Sequence, residues 1–126
     1  MVEQVFTSKA PRPVGPYSQA VKAGKTLYVS GMVPIDPETG KIVGGDVRSQ
    51  VRRVLENIKA ILEEAGYSLR DVVRVGVYLR NPEDFKAMNE VYEEYFRDIK
   101  PARTTVVASP PIKEALVEIE VVAYRD

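Results

Sequence analysis

The sequence predicts an α+β fold, a mixed β-sheet with two long helices packed on one face and oligomerisation through the other. Three observations carry this. Two segments repeat apolar residues at helical spacing, each lies between runs rich in β-branched residues, and the last such run is apolar in both alternating registers. The 126 residues show no repeat, low-complexity tract or linker, so one domain is expected over 1–126. At that length a chain buries about two-thirds of its unfolded surface and requires no disulfide or metal staple.

The first segment, Ala10-Pro11-Arg12-Pro13-Val14-Gly15-Pro16-Tyr17, reads as a stiff, irregular surface stretch. Thr26 to Ser30 reads as a short strand ended by Gly31, and Ile35 to Ile42 as a turn between two short extended pieces. The first helix, from about residue 46 to 65, carries Val47, Val51, Val54, Leu55, Ile58, Ile61, Leu62 and Ala65 as one stripe. Asp46 is its N-cap and Gly66 its C′ residue. Val72 to Leu79 is a β-branched strand. The second helix takes Asn81 as N-cap and Pro82 at N1, runs on Phe85, Met88, Tyr92, Tyr95, Phe96 and Ile99, and stops at Pro101. Strands at Thr104–Ala108 and Ala115–Tyr124, separated by Ser109-Pro110-Pro111, complete the pattern.

Two helices cover one face of a sheet. The last strand nevertheless puts Val117, Ile119, Val121 and Ala123 on one side and Leu116 and Val122 on the other. An apolar face without a helix calls for another subunit, so an obligate oligomer is expected.

Composition narrows the chemistry. Eighteen Lys+Arg balance eighteen Asp+Glu, and the pI is near 6.4, which argues against nucleic acid or an anionic membrane as partner. There is no Cys, His or Trp, hence no thiolate nucleophile, no Ser-His-Asp triad and no zinc-finger or His-ligated metal site. No loop has EF-hand spacing, and no metal site is expected. No apolar run approaches a membrane span, and the start, Met1 to Phe6, lacks signal-peptide features; a cytoplasmic location is the default expectation. Arg103 and Thr105 share one strand face, and Glu118 and Glu120 share another, with their positions about 7 Å apart. From spacing alone, a solvated or interfacial face with Lys or Arg partners is the favoured explanation of the Glu pair. Spacing by itself identifies no site.

The run Pro101-Ala102-Arg103-Thr104-Thr105-Val106, followed by Val117-Glu118-Ile119-Glu120, resembles the C-terminal signature of the RidA/YjgF family of imine deaminases, including its Arg-to-Glu interval of fifteen residues. Gly15-Pro16-Tyr17-Ser18, Val29-Ser30-Gly31 and Met88-Asn89-Glu90-Val91-Tyr92 agree in order, so the resemblance spans essentially the whole chain. It implies a chorismate-mutase-like α+β fold and a homotrimer with active sites between subunits. The implied reaction is hydrolysis of 2-imino acids (2-iminobutanoate, 2-iminopropanoate) or their enamine tautomers to 2-keto acids and ammonia. Such intermediates are released by pyridoxal-phosphate enzymes, for example threonine and serine dehydratases; no cofactor is implied for the deaminase.

By the resemblance, Arg103 anchors the substrate carboxylate and Glu118 holds or activates water. Tyr17, Ser30, Gly31, Asn89 and Thr105 bind or orient the substrate. A guanidinium fork suits a carboxylate, and an already electrophilic C=N carbon needs positioned water more than a covalent nucleophile. Each residue also has a structural explanation: Tyr17 packs the Pro-rich stretch, Asn89 is a satisfied amide, Ser30 caps a strand end, Gly31 answers to backbone geometry. Three features depart from the family: Thr105 stands where many members carry Cys, the stretch before Pro101 is shorter, and Ser109-Pro110-Pro111 replaces a single proline. Two alternatives stay open: a non-catalytic carboxylate-binding or interaction module, and a ribonuclease or translation inhibitor, against which the balanced charge and missing His count.

Overall fold

The strongest periodicity in the sequence becomes the longest helix. α1 spans Val47–Glu64, and Val51, Val54, Leu55, Ile58, Ile61 and Leu62 along it are fully buried. The Asp46 side chain accepts the Ser49 N–H at 3.0 Å, and Gly66 follows the helix with φ +85°, so both expected caps are made. The chain is described by a computed structural model over residues 2–126; Met1, part of the segment read for a signal peptide, lies outside the described residues. The other elements are β1 (Val2–Val5), β2 (Ala20–Ala23), β3 (Thr26–Met32), β4 (Val72–Leu79), α2 (Phe85–Phe96), β5 (Ala102–Val107) and β6 (Val117–Tyr124). Among the described residues no helix is long and apolar enough to cross a membrane.

Several boundaries differ from the sequence reading. β1 and β2 were not expected; four residues each, they are strands because they pair in series onto the edge of β3. β3 continues through Gly31 as a bulge between Val29 and Met32. Pro82–Asp84 form a 3₁₀ turn, the Asn81 side chain makes no capping bond, and α2 starts at Phe85. That helix also ends before Ile99: Lys100 takes φ 52°, and the residue ahead of Pro101 is barred from the right-handed helical region. β5 begins at Ala102 and β6 at Val117.

The sheet order is β1-β2-β3-β6-β4-β5. β6 is antiparallel to both β3 and β4, and β4 is parallel to β5. Two β-helix-β crossovers, β3-α1-β4 and β4-α2-β5, therefore leave a slot in the first, and the last strand fills it. Paired residues point to the same side of a sheet. Val29 and Val77 pair with Val121 and Ile119, and all are buried under the helices. Tyr28, Val122 and Tyr124 lie on the other side, which no helix among the described residues covers; Tyr28 keeps 52% exposure and Tyr124 46%. Leu116, expected on this open face, instead precedes β6 and packs against the core. The resulting α+β architecture has both helices on one side of a mixed sheet.

Candidate active site

On β5, Arg103 pairs with Val75 and Thr105 with Val77, whose side chains face the helices. The Arg103 guanidinium accordingly lies beneath α2, 4.7 Å from the Tyr92 ring centroid and 5.8 Å from that of Phe85. Asn89, half-buried, stands one turn from both rings on the same helix face. No carboxylate pairs with Arg103 among the described residues. The Tyr92 and Thr105 hydroxyls are buried and have no hydrogen-bond partner among the described residues. Burial pushes the Tyr92 phenol up, against the pull of the Arg103 charge.

Glu118 is elsewhere. On β6 it pairs with Tyr78, and Glu120 with Gly76, which puts both carboxylates on the open face. Burial raises the Glu118 pKa above the ordinary carboxylate range, and the neighbouring Glu120 charge adds to it. No Lys or Arg pairs with Glu118 among the described residues. Glu120 is held separately by the Tyr78 hydroxyl, which donates to Oε2 at 2.5 Å. A Cβ on Gly31 would stand 2.1 Å from Glu118 Oε2, so only a bare backbone lets the carboxylate lie there.

The Glu118 carboxylate borders a recess of about 100 Å³ with Tyr17, Gly31, Val33 and Ile112 around it. Polar side chains, most of them buried, tie down the loops around it. Gln19 accepts the Thr7 N–H at 2.8 Å and donates to the carbonyls of Thr7, Ala10 and Pro11, which clamps the Pro-rich stretch. Gln50 of α1 donates to Val43 and Glu114 and accepts from Leu116 N. Asn57 donates to Ile35, and Arg80 donates to Pro110, Ile112 and Ala115. The Ser30 hydroxyl donates to the Ser18 carbonyl at 2.6 Å, tying β3 to the segment that carries Tyr17. Tyr17 itself is 49% exposed, and its hydroxyl accepts the Val14 N–H at 3.2 Å.

Within one chain the structure thus makes two groups: Arg103 and Thr105 on β5 under Asn89 of α2, and Tyr17, Gly31 and Glu118 around the recess, with Ser30 tying β3 to the Tyr17 segment. They occupy opposite faces of one sheet. Among the described residues no cluster of His, Cys, Asp or Glu suits a metal ion.

The endoribonuclease L-PSP profile matches residues 7–125. The chain belongs to this family, the RidA/YjgF proteins. Within the family it is 59% identical over 126 residues to a RutC family protein of Pyrococcus horikoshii, covering all of both chains. Over 121 residues it is 40% identical to human 2-iminobutanoate/2-iminopropanoate deaminase, covering 96% of this chain and 88% of that protein. The crystal structure of RidA from an Antarctic Psychrobacter superposes with a TM-score of 0.93 at 45% identity, over 98% and 99% of the two chains. This RidA/YjgF membership agrees with the resemblance read from the sequence.

Sequence reasoning missed the clamps Gln19, Gln50, Asn57 and Arg80, and the aromatic bed of Arg103. A signal existed for two of them: Gln50 and Asn57 interrupt the apolar stripe of α1 at core positions. A polar residue at core spacing must find partners, and the nearest unpaired backbone groups are those of adjoining loops.

Proposed function

We propose that this chain hydrolyses reactive 2-imino acids, such as 2-iminobutanoate and 2-iminopropanoate, to 2-keto acids and ammonia in a site shared between subunits. One observation carries the reading: an unpaired guanidinium and an unpaired carboxylate with a raised pKa face away from each other in one chain. A second copy packed on the open face brings one protomer's Arg103 to its partner's recess. Family membership and the likeness to the human deaminase support the same reaction.

Arg103 would take the substrate carboxylate on its fork, with Asn89 and Thr105 flanking it. Glu118, across the boundary, holds a water against the C=N carbon. As the water adds, Glu118 takes its proton and passes it to the imine nitrogen, and it relays the hydroxyl proton to the same nitrogen in the next step. Collapse of the resulting carbinolamine breaks the C–N bond and releases ammonia and the keto acid, so atoms balance with one water consumed. Burial, and then the Glu120 charge, raise the Glu118 pKa, which makes its carboxylate a better proton acceptor for the attacking water. A homotrimer is the assembly proposed. The ribonuclease reading is disfavoured by the zero net charge and the absence of His.

Subunit complementation tests the reaction and the shared site together. Arg103→Ala and Glu118→Ala, each expressed alone, are expected to lose keto-acid release from freshly generated 2-iminobutanoate. Co-expressed in equal amounts, they are expected to recover about one quarter of wild-type activity, since random pairing rebuilds that fraction of sites. No wild-type turnover sinks the deaminase reading, and inactive mixed assemblies sink the shared site.

A further inference from the structure

Buried guanidinium groups are commonly held by carboxylates, which also cancel their charge. Arg103 has no such partner. It is half-buried beneath α2, its carbon lies 4.7 Å over the Tyr92 ring and 5.8 Å from the Phe85 ring, and the Tyr92 ring is braced by Phe96 at 4.7 Å. Ring faces attract a cation without donating or accepting a hydrogen bond. The guanidinium is therefore held in orientation while its charge and its fork stay available to an incoming anion.

We infer that Tyr92 is a positioning residue for carboxylate capture, acting through its ring face on Arg103, with Phe85 as the weaker second contact. The inference rests on Arg103 being the carboxylate anchor. The role is assigned to the ring face, since the Tyr92 hydroxyl feels the Arg103 charge but makes no hydrogen bond among the described residues. This separates ring from hydroxyl: Tyr92→Phe keeps the face, whereas Tyr92→Leu keeps a smaller apolar side chain and removes it. Phe85 is 45% exposed, so Phe85→Leu reports on the second ring without disturbing the core.

The test measures binding of 2-oxobutanoate by calorimetry, alongside KM and kcat for 2-iminobutanoate, on the assembled protein. Tyr92→Phe is expected to stay within about twofold of wild type in all three. Tyr92→Leu is expected to raise Kd and KM by about tenfold with a smaller change in kcat, and Phe85→Leu to raise them by about twofold to threefold. In an Arg103→Lys background Tyr92→Leu should have much less effect, since the flat guanidinium that stacks on the ring is gone. If Arg103→Ala loses binding while Tyr92→Leu and Phe85→Leu keep it, the positioning role is wrong and the anchor stands. If Arg103→Ala binds as wild type does, the anchor itself is wrong. Should Tyr92→Leu fail to fold, unchanged binding in Phe85→Leu together with a large loss in Tyr92→Phe overturns the ring-face account.

Discussion

The two halves of the candidate site are built in opposite ways. Arg103 rests on aromatic faces beneath a helix, beside two hydroxyls without partners. Glu118 sits on the open face against a bare glycine, bordering a recess whose walls are tied by buried amides and Arg80. The cation is held by apolar contact that leaves its hydrogen-bonding capacity unused. The anion is held by backbone placement, with hydrogen bonds spent on the loops rather than on the carboxylate. Both arrangements leave the reactive group uncommitted, at the cost of partly burying an unpaired charge.

The largest effect that sharpens this contrast is on the clamps. Gln19→Leu removes four hydrogen bonds and strands buried backbone groups of Thr7, Ala10 and Pro11. A loss of about 2–3 kcal/mol is expected in urea unfolding at fixed protein concentration, with faster amide exchange in residues 7–17. Unchanged stability would mean that the Pro-rich stretch is held by its own stiffness instead.

Next in size, Gly31→Ala should act on the carboxylate and spare the fold. The added Cβ meets the far end of a flexible side chain, which can swing away. Turnover is expected to fall about tenfold, with the melting temperature nearly unchanged. A large drop in melting temperature with activity retained would place the constraint in the bulge backbone, not in Glu118.

The smallest effect is a pH dependence. The folded-state pKa of Glu118 lies above the ordinary value of 4.5, because of burial first and the Glu120 charge second. The native chain therefore binds more protons than the unfolded chain above that pH. The Glu118 contribution to stability is fully present below 4.5 and is lost as pH rises through the raised pKa. Glu118→Gln should accordingly gain stability on wild type as pH climbs from 4 to 7, while losing activity. Parallel stability curves for the two proteins would show that Glu118 is compensated in the assembly.

Much of this was legible in the chain. The α1 stripe, its caps and the pairing of Arg103 with Thr105 and of Glu118 with Glu120 on shared faces follow from periods of 3.6 and 2, which are local properties. β1 and β2 were not legible, because four-residue segments without alternation become strands only when an edge is offered to them. The start of α2 was misplaced for a related reason. Asn81 and Pro82 look like a helix start, and the turn they begin is 3₁₀ before it becomes α.

By itself the sequence determined which residues point together along each element, that one sheet face would be left without a helix, and the family to which the chain belongs. Only the tertiary structure decided that Arg103 and Glu118 face apart. That outcome depends on β6 inserting between β3 and β4, while Arg103 rides on the edge strand β5. Strand order and face are set by which surfaces pack best over the whole sheet, and a residue's neighbours along the chain carry no record of that choice.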